Sequence, residues 1–206
     1  MDEYRGENKI LLRGQAAGVP APSHRNHGVD YCVVPLRVPR LSGVDDVLNI
    51  VTADPNPALW TPGRWVSVEG EVRSYNNRTG AGSKLVITVL SRSAQPSETE
   101  EGENRLVLAG ALCRKPVVRR TPLGREICDL LLAVNRPYGR ADYLPCIAWG
   151  TLAAHCGALD VGDKLRLEGR LQSRQYHKLI DGEQVARTAF EISVMNLLSE
   201  EDEAQP

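Results

Sequence analysis

Lys164-Leu165-Arg166-Leu167-Glu168-Gly169-Arg170-Leu171-Gln172-Ser173-Arg174 alternates apolar and polar residues with a period of two. Leu165, Leu167, Gly169 and Leu171 fall on one face of an extended segment, and Arg166, Glu168, Arg170, Gln172, Arg174 and Tyr176 on the other. Such a strand gives one side to a core and the other to solvent or a ligand. The stretch has a twin: Gly63-Arg64-Trp65-Val66-Ser67-Val68-Glu69-Gly70-Glu71-Val72 parallels 162–171, 99 residues apart. Asn8-Lys9-Ile10-Leu11-Leu12-Arg13-Gly14 likewise recurs 96 residues on as Asn104-Arg105-Leu106-Val107-Leu108-Ala109-Gly110, and Val38-Pro39-Arg40 as Val134-Asn135-Arg136. Three collinear matches with one alternation mark a duplication.

Between the copies lies Gln95-Pro96-Ser97-Glu98-Thr99-Glu100-Glu101-Gly102-Glu103, polar, acidic and broken by Pro and Gly, as suits a solvated linker. The expected division is an N-terminal domain over 1–94, a linker over 95–103, a C-terminal domain over 104–198 and a short acidic tail over 199–206. A chain of 206 residues with 42% hydrophobic content can fill two such cores. In the second copy the alternation predicts strands over 104–110, 127–134, 144–149, 164–174 and 186–195. One helix is predicted over 151–159, with Thr151 as N-cap and Leu152, Cys156 and Leu159 inward. Five strands with a short helix after the third is the order of an OB-fold, a Greek-key barrel that binds oligonucleotides or oligosaccharides on one face. The fold class expected is therefore all-β: two tandem five-stranded OB barrels, each with at most one short helix. The first copy is the more degenerate, since its helix region, 54–62, holds three prolines and predicts a turn or a single helical turn.

Other classes find little footing. No apolar run approaches the roughly 18 residues of a membrane span. The start Met1-Asp2-Glu3 is unlike a secretory signal, and five cysteines without a C-x-x-C pair fit reduced thiols of a cytosolic protein. His24 and His27 are expected in a loop, His155 on the exposed side of the helix and His177 past the fourth strand, and none faces a catalytic partner. Asp45-Asp46 reads as a like-charge pair exposed in a turn. No phosphate-binding loop, G-x-S-x-G or H-E-x-x-H motif occurs. An enzyme, a resident metal and a cofactor are all unexpected.

The second copy resembles the bacterial single-stranded DNA-binding protein family. The residues that carry the likeness are Asn104-x-Leu106-x-Leu108-x-Gly110, Pro116, Thr121-Pro122-x-Gly124 and Leu132-Ala133-Val134-Asn135-Arg136, followed by Asp142-Tyr143-x-x-Cys146-x-Ala148-Trp149-Gly150-x-Leu152-Ala153. The run from Val161-Gly162-Asp163 through Tyr176 and the segment Thr188-Ala189-x-Glu191-Ile192-x-Val194 complete it. The resemblance implies base-stacking roles for Tyr138, Tyr143, Trp149 and Tyr176. The parity of the strands agrees, because Tyr143, Ile147 and Trp149 share a face, as do Arg166, Arg170, Arg174 and Tyr176. Rings flanked by cations suit a flexible strand, whose every base has a stacking face and every phosphate a charge. Arg136 and Arg140, on either side of Tyr138, are the expected phosphate contacts, together with Arg166, Arg170 and Arg174; Lys115, Arg119 and Arg120 form a basic hairpin. The competing reading is a rim residue packing on its own barrel for each ring and a solvated strand face for each arginine.

In the first copy the counterparts of the four rings fall near Ser42, Val47, Thr52 and Asn77, none aromatic. That barrel is expected to be mainly structural, with Arg37, Arg40, Arg73 and Arg78 offering a weaker strand path and Tyr31, Trp60, Trp65 and Tyr75 serving packing or a subunit interface. The resemblance also implies a homodimer, since family members generally assemble four barrels and this chain holds two. Housekeeping members end in an acidic cluster with an apolar Phe tip that docks on repair and replication proteins. Ser199-Glu200-Glu201-Asp202-Glu203-Ala204-Gln205-Pro206 carries the acids without the tip, which leaves that docking open and allows the tail to compete with nucleic acid for the basic face.

The expected function is binding of single-stranded DNA with little sequence preference, in replication, recombination or repair; RNA offers the same bases and phosphates. The alternative is a protein-interaction or assembly module of a replication or primosome complex. A net charge of −1 argues against neither. Residues 104–199 alone carry 14 basic and 9 acidic side chains, while 98–103 and 200–206 hold four acids each. Near-neutrality is an average over segments of opposite sign.

Overall fold

The structure, a computed structural model, describes residues 6–77, 84–180 and 183–199. The chain forms two compact units, one of Lys9–Arg105 and one of the residues from Leu106 onward together with the short run before Lys9.

In the N-terminal unit the strands are β1 (Glu7–Ala16), β2 (Ala21–Asn26), β3 (Val29–Pro39), β4 (Asp45–Thr52), β5 (Trp65–Asn76) and β6 (Leu85–Pro96). The alternation seen in the sequence becomes a buried row in every one of these strands but β2: Leu12, Val34, Leu36, Leu48, Ile50, Val68, Val72 and Val89 have at most 1% exposure. β1 pairs antiparallel with β5, β5 with β6 and β3 with β4, while β4 runs parallel to β6. The pairs Gln15↔Arg37 and Ala16↔Leu36 bring β1 back onto β3 and close the barrel. Closure on itself leaves no open core edge, which is how a sheet this short in strands protects its ladder.

The C-terminal unit repeats the circuit with β7 (Glu103–Leu112), β8 (Val117–Arg120), β9 (Glu126–Arg136), β10 (Arg140–Trp149), β11 (Lys164–Ile180) and β12 (Glu183–Leu197). β7 pairs with β11, β11 with β12 and β10 with β9, β10 lies parallel to β12, and Ala111↔Ala133 and Leu112↔Leu132 close the ring. The five strands expected from the alternation are β7, β9, β10, β11 and β12. β8 is additional, a short exposed strand paired to β9, as β2 is to β3 in the other unit. Neither carries the apolar alternation that reveals a core strand.

Closure explains the repeated glycine. A Cβ at Gly14 would sit on the carbonyl oxygen of Arg37, and one at Gly110 would lie 2.5 Å from that of Ala133, so both barrels need a bare backbone where the ring shuts. Gly110→Ala is expected to cost about 1–3 kcal/mol by forcing the strands apart. Urea unfolding of the full-length variant against the parent protein measures it.

The region between the third and fourth barrel strands differs between units. In the C-terminal unit it forms α1 (Thr151–Gly157), with Ala153 and Cys156 buried. The N-cap is Gly150, at φ 58°, rather than Thr151, and Leu152 is only half-buried; Gly150 N–H donates to Glu126 O at 3.0 Å, so the turn is held by the backbone. In the N-terminal unit the proline-rich 54–62 makes turns, as expected. Within these turns Trp60 has 0% exposure, as Cys156 has on α1. The Trp60 indole N–H donates to Asp54 O at 3.0 Å, so one large ring fills the space under the turn.

Candidate nucleic-acid interface

The pairing register decides which side chains share a face of the C-terminal unit. Arg119 pairs with Ile127 and Ile127 with Trp149, so these three form one cross-strand row. Val117 pairs with Asp129, Asp129 with Ile147, Ile147 with Ser193 and Ser193 with Arg170, forming the next row. Side chains two apart on a strand return to the same face. Tyr143 and Trp149 on β10, Glu191 and Arg187 on β12, and Arg170, Arg174 and Tyr176 on β11 therefore all lie on the outer face that carries Arg119. Ile147 has the same parity but is covered, at 4% exposure.

On this face Tyr143 is 49% and Trp149 39% exposed, while Tyr176 is partly covered. The Arg174 guanidinium stands 5.8 Å from the centre of the Tyr176 ring, within cation–π range. Glu191, on the outward parity of β12 and missed by the sequence reading, organises the cations. It accepts from Gln172 Nε2 at 3.0 Å and from Arg174 Nε at 3.4 Å. Arg170 donates to Gln172 Oε1 at 3.4 Å, and its buried Nε has no hydrogen-bond partner among the described residues. Arg187, paired opposite Tyr176, is a further cation that the alternation of β12 could have revealed.

Tyr138 lies in a 3-10 turn, Pro137–Gly139, between β9 and β10, at φ 65° and 98% exposed. A bulky residue held in the left-handed region with its ring in solvent is an unusual use of backbone. Arg140 is exposed and makes no ion pair among the described residues. Arg136 is different. Its Nε is 3.3 Å from Oδ2 of Asp142, whose carboxylate has 0% exposure. The repeat holds an equivalent pair: Arg40 Nε donates at 2.7 Å to Asp46, 1% exposed. Both pairs tie together the ends of a strand–turn–strand hairpin, Arg40–Asp46 by hydrogen bonds and Arg136–Asp142 as an ion pair whose Nε makes no hydrogen bond. Asp46 is accordingly not an exposed turn residue, whereas Asp45 remains exposed and sits 3.7 Å from Arg37. Arg166 is likewise engaged, its Nε donating at 2.9 Å to Glu7.

The basic hairpin is neutralised by its own strands. Arg119 chelates Asp129, one contact at 3.1 Å, and this hydrogen bonding raises the Arg119 pKa further; Arg120 reaches Glu126 at 3.0 Å. His155 and His177 are exposed, as expected, but His177 lies within β11 rather than past it, and His24 lies on β2 rather than in a loop. Cys128, Cys146 and Cys156 are buried, and burial pushes their thiol pKa values up, to about 11 for Cys156, so they stay protonated core residues. Among the described residues no group of three or more His, Cys, Asp or Glu could hold a metal ion, and no helix is long and apolar enough to cross a membrane.

In the N-terminal unit the same face is altered. Both hairpins keep an offset of 96, which puts Val47 at the position of Tyr143 and Ala53, not Thr52, at that of Trp149. Glu71 stands at the position of Arg170, and it binds both Arg73 and Arg92, the latter at 3.0 and 3.1 Å. Arg78 lies outside the described residues, as do 200–206 of the acidic tail.

Two closed five-stranded barrels with a parallel pair between their third and fifth core strands make this a tandem OB-fold protein, one barrel of which presents rings and cations together. The single-strand binding protein family model matches residues 103–198. A protein of Listeria innocua named single-stranded DNA-binding protein 2 is 31% identical over 109 residues, which cover 50% of this chain and 68% of that one. A single-stranded DNA-binding protein of Halalkalibacterium halodurans is 38% identical over 80 residues. The crystal structure of the single-stranded DNA binding protein from Thermus aquaticus superposes with a TM-score of 0.76 at 25% identity, over 94% of this chain and 93% of that one. The chain belongs to the single-strand binding protein family. It spans about half the length of the Halalkalibacterium and Bacillus subtilis relatives it matches.

Proposed function

We propose that the protein binds single-stranded DNA with little sequence preference, as a non-catalytic component of replication, recombination or repair. The observation that carries this is the shared outer face of the C-terminal unit, on which Tyr143, Trp149 and Tyr176 lie with Arg170, Arg174 and Arg187 by strict strand register. Rings take the flat face that all bases have in common, and guanidinium groups take phosphates. Arg140 and Tyr138 extend the face at the β9–β10 turn. An affinity built from stacking and charge, without hydrogen bonds to base edges, accounts for the low sequence preference. Arg136 and Arg166, engaged by Asp142 and Glu7, contribute to this reading by shaping the hairpin and strand that bear the contacts.

Fluorescence titration with oligo(dT) and with a matched duplex, repeated across salt, tests the proposal. The expected result is preference for the single strand and a Kd that rises with salt, from counterion release at the phosphates. Equal affinity for duplex would reject it and favour the assembly-module alternative. The homodimer belongs to the same reading: light scattering on the titrated sample is expected to give two chains per particle, uniting four barrels.

A further inference from the structure

We infer that the N-terminal unit carries its own nucleobase-stacking site, formed by His24 and Tyr31 on the β2–β3 hairpin. The inference rests on the reading of the protein as a single-strand binder. The two rings face each other across the register pair His24↔Tyr31, with centroids 5.0 Å apart and planes inclined by 7°. His24 is exposed and Tyr31 partly so, which leaves the outer face of the imidazole open to solvent. Parallel offset stacking at this distance extends naturally by one more flat ring.

The position of the pair points to a base as the ligand. Tyr31 belongs to the outward parity of β3, with Val33, Pro35 and Arg37, while Val34, Leu36 and Val38 point to the core. At the repeat offset Tyr31 corresponds to Ile127, and the row His24–Tyr31 corresponds to Arg119–Ile127, the row that ends in Trp149 in the C-terminal unit. The N-terminal unit has Ala53 where Trp149 stands, and it has placed rings one and two strands further along that row. Its stacking surface is displaced along the sheet. The outward parity of β3 also carries a cation: the Arg37 side chain, 51% exposed, sits 3.7 Å from Asp45, a loose solvent-facing pair that a phosphate can replace. A cross-strand ring pair can also steady a hairpin, but this one lies on the same outer face as the row it replaces.

The test uses the full chain and a 5-iododeoxyuridine-substituted oligo(dT), crosslinked by ultraviolet light and mapped by mass spectrometry. Adducts on His24 or Tyr31 are expected beside those in the C-terminal unit. Adducts confined to the C-terminal unit would overturn this inference and leave the proposed function standing. No adduct and no binding would overturn both. In titrations, His24→Ala combined with Tyr31→Ala is expected to raise the Kd for a long oligo(dT) about five-fold or more, whereas Tyr31→Phe, which keeps the ring, leaves it unchanged. His24→Ala alone, at an exposed site, is expected to raise the Kd about five-fold as well and covers the case in which the double variant fails to fold. Unchanged affinity in that single variant, or a loss in Tyr31→Phe, would overturn the stacking role.

Discussion

Trp149→Ala is expected to weaken binding to oligo(dT) by about 1–3 kcal/mol, a roughly 5- to 150-fold rise in Kd, with little change in Tm. The indole ends β10 on the outer face, 39% exposed, while its neighbour Ala148 is fully buried. Truncation therefore removes ring surface from the interface and leaves the core as it was. Along the row behind it, Ile127 is 2% exposed and Arg119 is held by Asp129. Trp149→Phe keeps a smaller stacking face and is expected to fall between the two. Titration at one fixed salt concentration, with thermal melting followed by circular dichroism, separates affinity from stability. An unchanged Kd would make Trp149 a rim residue packing on its own barrel.

The fold was legible because three signals agreed. Period-two alternation located the core strands, the 96-residue repeat halved the problem, and the glycines of the repeat coincided with barrel closure at Gly14 and Gly110. β2 and β8 escaped because their residues are exposed on both faces, so no apolar period marks them. The outward rings were legible from parity, which register then preserved. What the sequence could not show was how each arginine is employed. Arg136 and Arg140 flank Tyr138 symmetrically in sequence, yet Arg136 meets a carboxylate with 0% exposure and Arg140 faces solvent. Asp45 and Asp46 read as one exposed pair, but in an extended strand neighbours point to opposite sides, so one of the two had to turn inward. The Glu71 clamp on Arg73 and Arg92 also depends on strands 21 residues apart meeting side by side.

The buried acid also sets the larger stability effect. Asp142→Ala is expected to destabilise the C-terminal unit by about 3–5 kcal/mol, because removal of one partner leaves the other charge uncompensated in a partly dry site. Arg136 retains only 28% side-chain exposure, so water can reach part of its guanidinium but cannot replace the carboxylate at its Nε. Asp142 further pairs with Val134 across the hairpin, directly beneath the turn that holds Tyr138 at its positive φ. Loosening that hairpin should therefore do two things at once: lower the midpoint of the C-terminal transition in urea, and weaken binding through loss of the Tyr138 presentation. Asp46→Ala provides the control within the same chain. Its Arg40 pair is equivalent in the N-terminal unit, where the matching turn carries Ser42 in place of Tyr138, so destabilisation there is expected without the loss of affinity that Tyr138 would bring. If Asp142→Ala melts like the parent protein, the pair contributes nothing net and Arg136 is released for phosphate contact. A selective loss of affinity in Asp142→Ala but not in Asp46→Ala would tie this buried ion pair to the presentation of the interface.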